Sequence, residues 1–281
     1  MSQPTTWRRA AALDGDLPEP GARVAVIGCG TSLFMAQSYA AAREAAGAGE
    51  TDAFAASEVP SGRRYDALLA ISRSGTTTEV VRALEAFPDG VPRYALVGVA
   101  ATPVAAAADH VVVLDFADED SVVQTRFATT ALSLLLANLG VDVEPIARRG
   151  EAALAADLPV DPTTADSFVF LGRGWTVGLA NEAALKLREA ALGTTEAYPA
   201  LEYRHGPIAL AGPRTVVWAL GDVEDDLLDD VRAVGATVVA TGDHPLADLV
   251  LIQRLAVALA RARGLDPDKP RNLSRSVVLP S

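Results

Sequence analysis

The same strand–glycine–helix pattern occurs twice in this chain, in one register. VAVIGCG at 24–30 is an apolar run ending in glycines, and LFMAQSYAAAREAAG follows it as an alanine-rich helix. FVFLGRG at 168–174 has the same form and leads into WTVGLANEAALKLREAALG. Gly28 aligns without a gap with Gly172, Gly30 with Gly174, Ala36 with Ala180, Phe54 with Tyr198, Ala56 with Ala200 and Glu58 with Glu202, a constant offset of 144 residues. Two glycines coincide easily by chance. A glycine pair, a helix and an aromatic–X–Ala–X–Glu stretch held in one register do not. The chain therefore reads as two homologous α/β units. They divide around 150–165, where EAALAADLPVDPTTAD has the composition of a linker.

In the first unit the strands are VAVIG, DAFAAS, ALLAIS, YALVGV and HVVVLD, with alanine-rich helical stretches between several of them. The second unit repeats this with FVFLG, TEAYPA, TVVWALG and ATVVATG. Near-continuous apolar strands alternating with helices predict a parallel sheet covered on both faces. RLAVALARARG at 254–264 then reads as a helix, and DPDKPRNLSRSVVLPS as an irregular tail. The expected organisation is a capping segment at 1–20, a first domain at 21–150, a second at 165–250, and a C-terminal helix with a tail at 251–281.

In such sheets ligands bind beyond the carboxyl ends of the strands. Two loops fall there, GCGTS at 28–32 and SRSGTTTE at 72–79. The second places Ser72, Ser74, Thr76, Thr77 and Thr78 around Gly75 at the start of a helix. One hydroxyl there is ordinary N-capping. Five exceed what a cap needs, and hydroxyls with free backbone N–H groups at a helix start form an anion site, most often for phosphate. GCGTS is not a Walker loop, because no Gly-Lys-Ser/Thr follows. It also lacks the third glycine of the dinucleotide fingerprint, which places a dinucleotide-dependent oxidoreductase a distant third among the readings.

Composition narrows the function classes. At 281 residues the chain is long enough for one large domain or two ordinary ones. It is half hydrophobic, as a globular protein is. No apolar run reaches the roughly 18 residues of a membrane span, and MSQPTTWRRAAALDGD has no apolar signal core, so the expectation is a cytoplasmic protein with no membrane partner. The net charge of −12, with no segregated basic patch, argues against a nucleic-acid partner. WRRAAA is too short for a DNA-binding domain and reads as a helix capping the domain behind it. Cys29 is the only cysteine, among apolar and glycine neighbours, and reads as a small buried residue rather than a reactive thiol. With three scattered histidines, His110, His205 and His244, no metal site is expected.

GCGTS, SRSGTTTE, ALKLREAALGTTEAYPALEYRHGPIAL and PRNLSRSV form a recognisable series. From about residue 20 to 281 the chain resembles the tandem sugar isomerase (SIS) domain family. It is most similar to the isomerase half of glucosamine-6-phosphate synthase and to the related phosphosugar isomerases, deaminases and fructosamine deglycases. EYRHGPIAL, after a helix with Glu-X-X-X-Lys-X-X-Glu, is the most specific part, and SRSGTTTE is next. The resemblance implies a flavodoxin-like sheet in each half, a homodimer whose active sites use both chains, a sugar-phosphate ligand and no cofactor. It implies that Thr31, Ser32, Ser72, Ser74 and Thr77 hold the phosphate, and that Arg73, Gln124 and Arg275 complete the substrate-binding set. Glu189 matches the base that moves a proton between C1 and C2. His205 matches the histidine that helps open the ring, reaching in from the neighbouring chain, with Glu202 and Lys186 in support.

The same residues can be weighed without the family. Glu182, Lys186 and Glu189 fall on one helix face. A surface salt ladder would explain them, since Glu-to-Lys at i, i+4 is the favoured orientation. Lys186, however, is one of only two lysines in the chain, and its helix is otherwise mostly alanine and leucine. A partly buried carboxylate suits a proton-shuttling base, because desolvation raises its pKa towards working pH. His205 falls in a turn, between Arg204 and Gly206-Pro207, rather than on an apolar stripe. His110 and His244 read as edge and turn residues.

Three departures qualify the resemblance. The chain starts at the SIS unit with no glutaminase domain, so generating ammonia from glutamine is not expected. The synthase's tail lysine is here Arg275, which stays protonated and cannot form an imine with an open-chain ketose. SVVQTRF at 121–127 carries Gln124 and Arg126 where the synthase has Ser and Lys, a variation nearer the deaminase branch. The expected function is C1/C2 proton transfer on a hexose or amino-sugar phosphate, ending in aldose–ketose interconversion or loss of an amine. The rival is a sugar-phosphate sensor without turnover, which would need the phosphate loop but neither Glu189 nor His205.

Overall fold

The computed structural model describes residues 2–279. The chain divides into two compact units, Met1–Glu144 with Ser274–Ser281, and Pro145–Leu273. The chain passes from the first to the second inside a helix. EAALA, expected to open the linker, is the end of α6 (Val143–Ala155). Ile146 and Ala147 bury an apolar stripe, and that stripe outweighs the exposed charges on the other face of the helix.

The first unit begins with α1 (Gln3–Ala11), then β1 (Val24–Gly28), α2 (Thr31–Ala45), β2 (Thr51–Ala55), β3 (Ala67–Ser72) and α3 (Thr78–Ala86). It continues with β4 (Arg93–Val97), the short α4 (Pro103–Ala106), β5 (His110–Val113) and α5 (Arg126–Asn138). All five strands are parallel, in the order β2-β1-β3-β4-β5. Every residue of β1 and β3 is buried, as a central strand covered on both faces requires. One face holds Ile27, Leu68, Leu84 and Phe87 in a single core cluster. On α1, Trp7 is fully buried, and its indole N–H donates to the Thr129 hydroxyl of α5 at 3.0 Å. The WRRAAA segment is thus a capping helix tied to the unit by a buried polar contact as well as by apolar area.

The second unit holds β6 (Ser167–Gly172), α7 (Thr176–Ala191), β7 (Thr194–Pro199), β8 (Thr215–Leu220), α8 (Asp225–Ala233), β9 (Thr237–Val239) and α9 (Pro245–Ala262). Its strands are also parallel, in the order β7-β6-β8-β9. Helix α9 starts nine residues before the sequence pattern at 254 placed it. Pro245 supplies the first-turn φ, and the His244 ring nitrogen accepts from the Leu246 N–H at 3.2 Å to cap the end.

Strand order thus follows the same path in both sheets. The second strand flanks the first on one side, and the third strand flanks it on the other. The switch in direction falls between β1 and β3, and again between β6 and β8. The repeated glycines do the same work in each unit. A Cβ on Gly28 would lie 2.6 Å from the Ser32 carbonyl carbon, and one on Gly172 would lie 2.4 Å from the Thr176 carbonyl oxygen. Only glycine lets the strand end pass so close to the helix that follows.

Candidate functional site

In the first unit GCGTS follows β1 and SRSGTTTE follows β3, so the two loops flank the switch point. The second loop turns tightly at Gly75. Its φ is +65°, and a Cβ there would meet the Thr102 hydroxyl oxygen at 2.1 Å. The Ser72 hydroxyl accepts the Gly75 N–H at 3.2 Å and the Ser74 hydroxyl accepts the Thr76 N–H at 3.3 Å, so two of the five hydroxyls shape the turn. Thr77 is the N-cap of α3, and its side chain makes no capping bond. Ser32 is buried in the first turn of α2, and its hydroxyl has no partner among the described residues. Thr31 opens that turn beside it. The arrangement offers hydroxyl donors and a helix N-terminus to one small anion.

Two arginines of the expected site are held by groups of the chain itself. Arg73 is 1% exposed. One guanidinium nitrogen donates to the Ser121 carbonyl at 2.7 Å, and the other to the carbonyls of Val122 at 3.1 Å and Arg275 at 3.3 Å. It ties three chain segments together rather than presenting charge to a ligand. Arg275, expected in the substrate-binding set, pairs with Asp118 and donates to the Glu119 carbonyl. A guanidinium fork is geometrically matched to a carboxylate, and the sequence cannot reveal a carboxylate that lies far away in the chain. Gln124 is half-buried in the 118–125 segment that these arginines pin.

The residues after Arg275 lie on the hydroxyl loop itself. Ser276 Oγ accepts from the Thr76 hydroxyl at 2.9 Å and from the Ser74 hydroxyl at 3.2 Å. The Val277 carbonyl accepts the Thr78 N–H at 3.2 Å, and the Leu279 N–H donates to Thr78 Oγ1 at 2.9 Å. Nothing in the sequence signals Ser276, because its partners are some 200 residues away.

In the second unit α7 carries Glu182, Lys186 and Glu189. Glu182 is fully buried and Lys186 is 1% exposed, which excludes a surface salt ladder. Lys186 Nζ lies 2.7 Å from Glu189 Oε2 and 3.3 Å from Glu182 Oε1. Burial alone would lower the Lys186 pKa. The charges of Glu182 and Glu189 outweigh it and hold the pKa above the usual lysine range. The Glu189 side chain keeps about a fifth of its surface exposed, 20%. A buried ammonium therefore holds a carboxylate that still reaches out of the core. Glu202 and His205 lie on the 3₁₀ turn Ala200–His205, both exposed and without hydrogen bonds among the described residues.

Cys29, beside the first loop, has a pKa raised by burial and then by the charge of Glu79, against a weaker opposing bond from the Ala56 backbone. It is not an activated thiol. Among the described residues no cluster of three metal-ligating side chains occurs, and no helix is long and apolar enough to cross a membrane.

Comparison with known proteins fits this geometry. Residues 19–139 match the SIS domain family. The chain is 30% identical to the glutamine–fructose-6-phosphate aminotransferase (isomerizing) of Methanothermobacter thermautotrophicus, over 92% of this chain and 52% of that protein. It spans about half the length of the curated relatives it matches. A glucosamine-6-phosphate deaminase from Thermotoga maritima has a solved structure 28% identical to this chain, with a TM-score of 0.80 over 92% of both chains. The C-terminal domain of glucosamine-fructose-6-phosphate aminotransferase from Francisella tularensis shares the fold, with 21% identity and a TM-score of 0.81 over 96% of both chains.

Proposed function

We propose that this chain is a phosphosugar isomerase or aminosugar-phosphate deaminase. The observation that carries the reading is the buried Glu182–Lys186–Glu189 cluster. A binding protein has no use for a buried lysine that holds a carboxylate only 20% exposed. In the proposed reaction Thr31, Ser32, Ser72, Ser74 and Thr77 bind the phosphate of a hexose or hexosamine phosphate. His205 assists ring opening. Glu189 removes the C2 proton of the open-chain aldose while the C1 carbonyl oxygen takes up a proton from solvent, giving an enediol whose C2 hydroxyl loses its proton to solvent only as C1 is protonated and the C2 carbonyl forms. Glu189 then delivers its proton to C1, which leaves a ketose. With an amino group at C2 the same transfer gives an imine that water hydrolyses to ketose and ammonia. No covalent bond to the enzyme is required, consistent with an arginine at position 275.

The same proposal includes a second, divergent SIS domain in the second unit, supported by the shared strand path and the shared close approach of Gly28 and Gly172 to the helices that follow them. It includes a homodimer in which each site draws His205 from the neighbouring chain. Leu201 at 46% and Leu210 at 74% exposure flank His205, and a partner would cover them. A cytoplasmic setting follows from the substrate class, because phosphorylated sugars do not cross membranes unaided.

One observation favours the sensor reading, the pairing of Arg275 with Asp118 where the resembling synthase has a free lysine. Incubation with a panel of hexose and hexosamine 6-phosphates, assaying ketose and ammonia together, decides between them. Turnover of any member supports the enzyme. Tight binding across the panel without turnover supports the sensor.

A further inference from the structure

We infer that Tyr203 and Arg204 are positioning residues, which hold the turn Ala200–His205 so that His205 and Glu202 leave the second unit on one face. The inference rests on the ring-opening role proposed for His205 and assigns the groups that aim it. Its basis is the period of the turn. Ala200–His205 is a 3₁₀ helix of six residues. Such helices repeat every three residues, so side chains at i and i+3 eclipse one another. Two full turns therefore give three faces of two residues each. Ala200 and Tyr203 form the buried face, Leu201 and Arg204 the second, and Glu202 and His205 the third, where both are exposed.

A 3₁₀ run longer than three or four residues is uncommon, because its hydrogen bonds are poorly aligned. This one is held from outside. Tyr203 is fully buried in a core cluster of the second unit, with Val169, Val217 and Leu227, and its ring lies 5.8 Å from that of Tyr198 on β7. Its hydroxyl has no hydrogen-bond partner among the described residues, so the ring is the anchor and the hydroxyl is not. On the second face, Arg204 is clamped to α8. Its Nε and Nη2 reach Asp230 Oδ2 at 3.0 and 2.8 Å, and Nη2 lies 3.1 Å from Asp226 Oδ2. Gly206 then ends the run with a φ of +133°, a conformation that glycine takes at little cost. With two faces and the end of the turn fixed, the direction of the third face is fixed as well. Glu202 and His205 need no hydrogen bond of their own to point together.

The test is Arg204→Ala in the full chain. An ion pair to exposed carboxylates adds little to global stability, so parent and variant should unfold at similar urea concentrations. The chain has three histidines, and the imidazole NMR signal missing from His205→Gln is that of His205. In Arg204→Ala that signal should shift and sharpen, while those of His110 and His244 stay in place. Adding Asp226→Asn and Asp230→Asn should change nothing further, because all three groups act through one contact. Tyr203→Phe should behave as the parent. On any hexose or hexosamine 6-phosphate that the parent converts, Arg204→Ala should lower kcat about tenfold and leave KM within about twofold, as misplacement of a group that acts on the bound substrate does. A His205 signal unchanged in Arg204→Ala overturns the inference, whether or not any sugar phosphate is converted. An unchanged kcat, where His205→Ala is impaired, overturns it too. A shifted signal together with His205→Ala turning over as fast as the parent leaves the positioning in place and removes the ring-opening role.

Discussion

Replacing Lys186 with methionine tests whether the buried cluster is an ionic unit or an incidental contact. Methionine fills a similar volume and removes the ammonium. It leaves Glu182, fully buried, and Glu189, 20% exposed, with no cation between them. Breaking a buried ion pair by deleting one partner costs about 3–5 kcal/mol, because a charge stays buried without compensation. Glu182 escapes that cost by taking up a proton, so the loss should be largest at high pH and should shrink as pH falls towards the carboxylate range. Two of the three tryptophans, Trp175 and Trp218, lie in the second unit, and Trp218 is fully buried. Urea unfolding followed by tryptophan fluorescence at pH 5 and pH 8 therefore reports on that unit. Lys186→Met should lose about 3 kcal/mol or more at pH 8 and clearly less at pH 5. Adding Glu182→Gln should restore much of the loss at pH 8. A single variant within about 0.5 kcal/mol of the parent at pH 8, the usual spread of a surface substitution, would refute the reasoning.

A hydroxyl hydrogen bond to a charged group is worth about 1.5–3 kcal/mol, so Ser74→Ala should weaken sugar-phosphate binding about tenfold or more. Equal affinity of the parent for sugar and sugar phosphate would sink the phosphate assignment. Mixing inactive Glu189→Gln with inactive His205→Ala should restore part of the activity if sites are shared between chains, and mixed dimers as dead as the parents would exclude sharing. Burial pushes the Asp248 pKa up to about 7, while burial pushes His244 down to about 4. Between about pH 4 and 6.5 the folded chain holds a proton at Asp248 that the unfolded chain lacks, and the unfolded chain holds one at His244 that the folded chain lacks. The two slopes oppose each other. Asp248→Asn should leave the His244 slope alone, so that stability rises by at most about 3 kcal/mol from pH 4 to 6.5. A flat difference between variant and parent across that window would contradict it.

The fold was legible because its central strands are buried on both faces. VAVIG and ALLAIS carry no polar residue to confuse strand with surface helix until Ser72, where the chain leaves the sheet. The repeat then set the second sheet by analogy with the first. The break near 150 was misplaced because EAALA reads equally well as a linker or as the end of an amphipathic helix, and tertiary burial of Ile146 decides between them. At the site, spacing along one helix was enough to align Glu182, Lys186 and Glu189, and their burial is a tertiary fact. Arg73 and Arg275 show the opposite limit. A guanidinium's partner is chosen by three-dimensional neighbours, here the carbonyls of Ser121 and Val122 and the carboxylate of Asp118, and no local pattern announces them.

Solvent exchange tests the central claim most directly, because it follows the proton that Glu189 is proposed to carry. In heavy water the parent chain should place deuterium at C1 or C2 of at least one hexose or hexosamine 6-phosphate, read by NMR. Glu189→Gln should keep phosphate binding while exchange falls by about 10²–10⁴, the range that a general base contributes. Tight binding of the same sugar phosphates by the parent chain with no deuterium incorporated anywhere in the panel would contradict the account, and would leave the hydroxyl loop as the recognition site of a sensor.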